Sequence, residues 1–157
     1  MNTTINIQLY SDKSTVYSHE KIQKAFGCFA KVVEKYTRFD PTSELSLLNN
    51  SSGNPHKVTK KFFELIEYML QLSVLTKGSY DPTIIDLLET YGYKSTYDFQ
   101  SLEDPELLNK IMALVKVRAK PTEIILNSKD LTVQLAKRQR LDLGSIGKGY
   151  ALSLIHI

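Results

Sequence analysis

Leu141-Asp-Leu-Gly-Ser-Ile-Gly-Lys-Gly-Tyr-Ala151 joins a short apolar segment to a glycine-rich turn, which is followed by helix-forming residues. Glycines allow backbone N–H groups to approach an anion closely, and a helix N-terminus adds about half a positive charge. Lys148 supplies a full positive charge at the same turn. The segment therefore predicts a strand, a turn and a helix start that together suit a phosphate group.

The turn nevertheless differs from the common phosphate-binding motifs. Two residues separate Gly144 from Gly147, where a P-loop has four, and Gly149 stands where Ser or Thr would bind magnesium. The spacing of the dinucleotide motif Gly-x-Gly-x-x-Gly is also absent. Because glycine-rich turns also serve packing, this segment alone leaves both phosphate binding and a packing role open.

Asp142 strengthens the case for a ligand. It lies between Leu141 and Leu143, and a carboxylate in such a place must be paired or hydrogen-bonded. It either caps the helix that follows or faces a ligand, and Gly144 or Ser145 is better placed for the cap.

Outward from this turn, the hydrophobic pattern predicts an α+β fold of mixed helices and short antiparallel strands. Apolar residues alternate at Ile5, Ile7 and Leu9, as in a half-buried strand, and later recur at helical spacing. Predicted helices cover residues 17–36, a short segment begun by Thr42 or Ser43, a segment from Thr59 to a C′ residue at Gly78, a short segment after Pro82, and residues 105–115. Predicted strands also cover residues 124–126, 132–135 and 141–143.

Composition limits the function classes. The 157 residues, 42% hydrophobic and 24% charged, suit one globular domain. The net charge of +3 is scattered, which does not favour a nucleic-acid partner, and a single cysteine, Cys28, excludes an internal disulfide. No signal peptide or membrane-spanning run is visible, so we expect a cytoplasmic product, or a membrane-anchored or periplasmic one if an upstream segment is missing.

Two other polar segments precede the turn. Asp81 follows Ser79 and Tyr80 and precedes a proline, so it is either a turn aspartate or a ligand contact. Tyr80 suits stacking on a flat ring as well as ordinary packing. The segment Phe39-Asp-Pro-Thr-Ser-Glu44 predicts a capping box at the start of a short helix.

Taken together, these segments resemble a known family. Arg38-Phe-Asp-Pro-Thr-Ser-Glu-Leu-Ser-Leu-Leu-Asn49, Gly78-Ser-Tyr-Asp-Pro-Thr83 with Tyr91-Gly-Tyr93, and Leu141 to Ala151 follow the order and approximate spacing of the FAD:protein FMN transferases, the ApbE family. Met1-Asn-Thr3 is similar to the opening Met-Gly-Thr of that family. The resemblance runs from Met1 to about Ala151.

The resemblance implies an ApbE-like fold and a magnesium-dependent reaction, in which the FMN portion of FAD passes to a Thr or Ser hydroxyl of a target protein and AMP is released. Carried over by motif, the FAD-contacting positions are Met1, Phe39, Ser79, Tyr80, Asp81, Asp142 and Lys148. Ser145 falls on a position that helps to hold magnesium. The family's other metal ligands lie in a C-terminal half, so we expect residues 1–152 to be the N-terminal portion of the domain and to be inactive alone.

The last residues and the competing functions complete these expectations. Leu152-Ser-Leu-Ile-His-Ile157 matches one reading frame of a transposase sequencing adapter, so we expect residues 153–157 to be a non-native tail, and His156 is not counted as a ligand. The alternative for this segment is a natural apolar start of a helix. Three other functions remain open: an FAD pyrophosphatase giving FMN and AMP, a non-catalytic FAD-binding module, and a structural domain without a ligand.

Overall fold

A computed structural model of the protein describes residues 4–93 and 104–155. The helices are α1 (Thr15–Tyr36), α2 (Glu44–Asn50), α3 (Lys60–Leu75), α4 (Ile85–Thr90), α5 (Pro105–Val117) and α6 (Gly147–Ser153), with a 3₁₀ turn at Pro121–Glu123. The strands are β1 (Pro55–Lys57), β2 (Ile125–Asn127) and β3 (Thr132–Gln134). The predicted α+β class is therefore confirmed. No helix within the two described ranges is both long enough and apolar enough to cross a bilayer.

The sheet has the order β1-β3-β2, and both pairings are antiparallel. Val133 of the central strand is fully buried and lies opposite both His56 and Leu126. Strand β1 was not predicted, because Pro55-His-Lys57 is too short and too polar to show an alternating pattern. Its pairing with β3 makes it a strand.

The core lies between the sheet and the long helices. The apolar face of α1 includes Phe29, Val32 and Tyr36, which are spaced at helical intervals. It shares the core with Phe62 and Ile66 of α3, and all five side chains are buried. The rings of Tyr36 and Phe62 stack with their centroids 4.9 Å apart. This packing confirms the amphipathic helices and supports α6, which contacts α1.

Side-chain caps set where several helices begin. Ser43, not Thr42, caps α2 and accepts a hydrogen bond from the Ser46 N–H at 3.0 Å. The predicted capping box is wrong, because the third helical position holds Ser46 instead of Glu or Gln. Glu44 instead accepts from the Thr59 N–H at 2.6 Å and from its hydroxyl at 3.1 Å, which ties the starts of α2 and α3 together.

The end of α3 differs by one residue from the prediction. Lys77 occupies the left-handed C′ position with φ of 53°, and Gly78 follows it with φ of 82°. The Gly78 N–H donates to the Ser73 carbonyl at 2.8 Å, which completes a Schellman motif. Gly78 therefore occupies C″ instead of the predicted C′ position, and the helix ends through two successive residues of positive φ.

The predicted strand at residues 5–9 does not form among the described residues. Ile5 and Ile7 pack against the core as their alternation suggests, whereas Leu9 is 42% exposed. Alternation provides one apolar face, but a strand also needs a neighbouring backbone, which periodicity cannot reveal. None of the described strands pairs with this segment.

Residues 141–143 are also not a strand, although Leu141 and Leu143 are buried as predicted. The Asn49 side chain replaces the expected neighbouring strand: its amide nitrogen donates to the Leu141 carbonyl at 3.0 Å, and its oxygen accepts from the Leu141 N–H at 2.8 Å. The Asp142 N–H donates to the Pro82 carbonyl at 2.9 Å. These three bonds hold the beginning of the glycine turn in place.

Asn49→Ala is expected to lower the free energy of unfolding by about 2–4 kcal/mol, because it leaves a buried N–H and a buried C=O of Leu141 without partners. Urea denaturation followed by circular dichroism measures the change. Asn50→Ala is the matched control, since Asn50 is the exposed next residue of α2. Equal losses in the two variants would contradict the role of the Asn49 amide.

Candidate functional site

Three of the motif segments meet in the folded chain. The Arg38 side chain lies 3.3 Å from Asp142 through its Nε and the carboxylate Oδ1. The Asp142 N–H bonds the carbonyl of Pro82, which directly follows the Ser-Tyr-Asp segment. We call residues 38–39, 79–83 and 142–145 the motif junction. Residues that lie far apart in sequence are therefore neighbours there.

Asp142 is paired, as its position between two leucines requires. Its Oδ1 faces Arg38, and its Oδ2 accepts a hydrogen bond from the Gly144 N–H at 3.1 Å. The N-cap of α6 is Ile146, which makes no side-chain capping bond, so neither Asp142 nor Gly144 nor Ser145 is the cap. The capping interpretation of Asp142 is therefore wrong. Its side chain is 15% exposed and reaches the surface of the junction.

The three glycines of the turn have different roles. A Cβ at Gly144 would lie 2.9 Å from Asp142 Oδ2, closer than real Cβ contacts, so glycine is needed for the bond between these residues. A Cβ at Gly147 or Gly149 would meet no described atom within 4 Å apart from its chain neighbours and the backbone of its own helix. Contacts with the described chain therefore do not explain the last two glycines.

Asp81 forms a turn ahead of α4 and an ion pair with α5's C-cap residue, Arg118. Its Oδ1 accepts from the Thr83 N–H at 2.8 Å and from the Thr83 hydroxyl at 2.6 Å, and its Oδ2 accepts from Arg118. Burial raises the pKa of Asp81, but the hydrogen bonds from Arg118 and Thr83 outweigh burial and hold the pKa below its ordinary value. The turn-aspartate interpretation is confirmed, but Asp81 does not cap α4, whose N-cap is Ile84 without a side-chain capping bond.

The Tyr80 hydroxyl differs from the other buried polar groups of the described residues in its hydrogen bonding. The ring packs against the core, while the hydroxyl is buried and, although the Ser145 side chain lies near it, makes no hydrogen bond of ordinary geometry with the described residues. Burial raises the pKa of this hydroxyl, the nearby Ser145 side chain opposes the shift, and the Asp142 and Asp81 carboxylates add to it. Buried hydroxyls nearly always have a partner, so the Tyr80 hydroxyl differs from the other described buried side chains.

The other predicted site residues are exposed. Phe39 is 51% exposed, and Ser79, Ser145 and Lys148 also present their side chains to solvent. Lys148 lies in the first turn of α6 and forms no ion pair with the described part of the chain. Among the described residues, no ion pair joins Lys148 to the motif junction, and it lies three residues after Ser145 in the sequence. Met1 lies outside the described residues.

The magnesium site stays a prediction. Within residues 4–93 and 104–155, no group of three or more His, Cys, Asp or Glu side chains is arranged to hold a metal ion. Ser145, the predicted magnesium ligand, is among the described residues, and its exposed side-chain oxygen is neutral. A neutral oxygen fits magnesium only as one ligand among carboxylates and phosphates.

Sequence reasoning missed two arginines at the site. The Arg38 side chain is 7% exposed and contacts Asp142, and the Arg118 guanidinium bonds both Asp81 and Thr83. Arg38 had a signal, because it begins the first motif directly before Phe39. Arg118 had none, since it lies 37 residues from Asp81 and belongs to no motif.

The sequence profile of the ApbE family matches residues 1–156. The chain belongs to the ApbE family. A curated relative, the FAD:protein FMN transferase of Haemophilus influenzae, is 24% identical over 161 residues, which cover 99% of this chain and 45% of the relative. This chain thus spans less than half the length of the relative.

Solved structures show the same fold. The ApbE protein of Thermotoga maritima matches with a TM-score of 0.78 and 23% identity, over 93% of this chain and 45% of that one. The flavinyl transferase ApbE of Pseudomonas stutzeri, in its apo form, matches with a TM-score of 0.72 and 18% identity, over 88% and 45% of the two chains. The predicted ApbE-like fold is confirmed.

Asp81→Asn is expected to lower the free energy of unfolding at pH 7 by about 1–3 kcal/mol, because the half-buried Arg118 loses its charged partner. The depressed pKa of Asp81 makes this contribution complete above its unfolded pKa of about 3.9, and the contribution disappears as the pH falls through the folded pKa. Urea denaturation from neutral to acid pH should show the two proteins converging.

The exposed residue Asp12 provides the control, and Asp12→Asn should leave the free energy of unfolding at pH 7 unchanged. A difference between Asp81→Asn and the wild type that stays constant into acid would contradict the ion pair with Arg118.

Proposed function

We propose that this chain provides the FAD-binding part of a flavin transferase, which moves the FMN portion of FAD to a Thr or Ser hydroxyl of a target protein. Family membership and the name of the Haemophilus relative support the proposal. One observation on this chain carries it: the buried Tyr80 hydroxyl has no hydrogen-bond partner among the described residues and lies near Asp81 and Asp142.

Tyr80 and Asp142 offer complementary groups to such a ligand. The hydroxyl is a donor, and leaving it unpaired in the interior costs about 1–3 kcal/mol, which an acceptor atom of FAD would recover. The Asp142 carboxylate has acceptor capacity left after its two contacts and suits a ribose or ring donor. The exposed Phe39 ring suits stacking on one of the flat rings of FAD.

The glycine turn suits the pyrophosphate of FAD. Lys148 carries a positive charge that forms no ion pair with a described acidic residue, and the exposed Gly149 leaves space for a close approach to the backbone. In the reaction, the target hydroxyl oxygen bonds to the phosphorus of the FMN half. The bond from that phosphorus to the bridging oxygen breaks, AMP leaves with that oxygen, and the hydroxyl proton is released.

Such a transfer depends on positioning and on neutralising phosphate charge. Magnesium, when bound, would supply that neutralisation at the phosphates, with Ser145 as one of its ligands. Ser145 and water alone would hold magnesium weakly. We therefore propose that these 157 residues bind FAD but do not transfer FMN by themselves. The matched region covers only 45% of the Haemophilus relative and 45% of the Thermotoga protein, so each relative is more than twice as long as that region.

Tyr80→Phe separates binding from stability. Removing an unpaired buried hydroxyl should leave the free energy of unfolding unchanged or raise it by up to about 1 kcal/mol, while the affinity for FAD falls by about five- to tenfold. Urea denaturation and titration of FAD fluorescence measure the two quantities.

Tyr68→Phe is the matched control, because Tyr68 lies on α3 with 51% of its surface exposed, and it should change neither quantity. If the wild-type chain leaves FAD fluorescence unchanged, the structural-domain alternative holds instead. If Tyr80→Phe binds FAD as well as the wild type, the Tyr80 hydroxyl is not an FAD contact.

Product analysis distinguishes the enzymatic alternatives. The chain is incubated with FAD, magnesium and a Thr-containing peptide, and the nucleotides and proteins are analysed by chromatography and mass spectrometry. We expect FAD to remain intact. AMP with free FMN would favour the pyrophosphatase, and AMP with flavin on the peptide or on the chain would show that these residues suffice for transfer.

A further inference from the structure

Arg38 lies at the centre of the motif junction, although it is not among the predicted FAD contacts. Its guanidinium donates to Glu89 at 3.0 Å and to the Tyr93 carbonyl at 2.7 Å, while its Nε faces Asp142 at 3.3 Å. With the side chain only 7% exposed, all three directions of the planar fork are used.

The same guanidinium lies against an aromatic ring of the site. Its carbon is 4.4 Å from the centre of the Phe39 ring and 5.1 Å from that of Tyr93. Cations attract the faces of aromatic rings at such distances. Arg38 therefore holds the Phe39 ring by one face, while half of that residue stays exposed.

We infer that Arg38 is a positioning residue for the FAD site, a role that rests on the proposed function. It acts through Asp142: the carboxylate has one oxygen on Arg38 and the other on the Gly144 N–H, and these two contacts set its orientation. Without Arg38, the Gly144 bond alone remains, and a carboxylate with one bond can rotate away from the ligand.

Charge alone does not satisfy this role. The guanidinium of Arg38 contacts three groups in different directions, each through a different nitrogen atom. These groups are Glu89, the Tyr93 carbonyl and Asp142. A lysine carries the same charge as a single ammonium group and cannot reproduce a planar fork. Arg38→Lys should therefore preserve the charge of the junction but not the orientation of Asp142.

Arg140 provides a matched control in the same network. It shares Glu89 with Arg38 through a 3.3 Å contact and also bonds Asp86, but it has no contact with Asp142. Its side chain is 34% exposed. Arg140→Met thus weakens the network around Glu89 without touching the proposed ligand contact.

The test is a double-mutant cycle on FAD binding by the 157-residue chain, with Arg38→Met, Asp142→Asn and the double variant. We expect each single variant to raise the FAD dissociation constant about tenfold. The double variant should raise it by no more than about twentyfold, because Arg38 acts through Asp142. Arg38→Lys should resemble Arg38→Met. Arg140→Met should lower stability towards urea and leave the dissociation constant within about twofold.

Two outcomes would overturn the inference while the proposed function stands: FAD binding by Arg38→Met at wild-type affinity, or a double variant weakened about a hundredfold, which means independent effects. Loss of binding in Arg140→Met equal to that in Arg38→Met would also overturn it, since a structural role would then suffice. If Arg38→Met fails to fold by circular dichroism, the cycle is completed with Arg38→Lys. Absence of FAD binding by the wild-type chain refutes the proposed function itself.

Discussion

The hydrogen bonds between the Asn49 side chain and the Leu141 backbone support both the core and the candidate site. They join residues 92 positions apart and satisfy a buried N–H and a buried C=O that would otherwise have no neighbouring strand. Because Asp142 is the next residue, its position follows directly from them. The Asp142 N–H, bonded to Pro82, then brings the Tyr80 and Asp81 segment to the glycine turn.

Charge then organises what the backbone brings together. Asp142, Arg38, Glu89 and Arg140 form a continuous series of ion pairs, in which each buried or half-buried charge has an opposite neighbour. Leaving such a charge unpaired is costly, so Arg38 directly constrains Asp142, whereas Arg140 shares only Glu89 with Arg38. The Tyr80 hydroxyl is the exception among the described buried side chains, and the contrast with its satisfied neighbours supports a ligand there.

Local patterns predicted much of this structure. The helices α1 and α3 followed from apolar spacing, and the cap Thr59 followed from residue type, because helix starts depend on bonds within one turn. The choice of Ser43 over Thr42 as the cap of α2 came from the structure. The errors have the opposite cause. Residues 141–143 look like a strand because their leucines alternate, but an amide from α2 satisfies their backbone instead of a neighbouring strand.

By itself, the sequence determined the α+β class, the approximate positions of the long helices, the family and the motif residues, since periodicity, capping and motifs are properties of short segments. Only the tertiary structure decided which groups meet. The partners Arg118 of Asp81, Arg38 of Asp142 and Asn49 of Leu141 lie 37 to 104 residues away, and no local pattern encodes such pairs. The unpaired state of the Tyr80 hydroxyl likewise depends on what surrounds it in the folded chain.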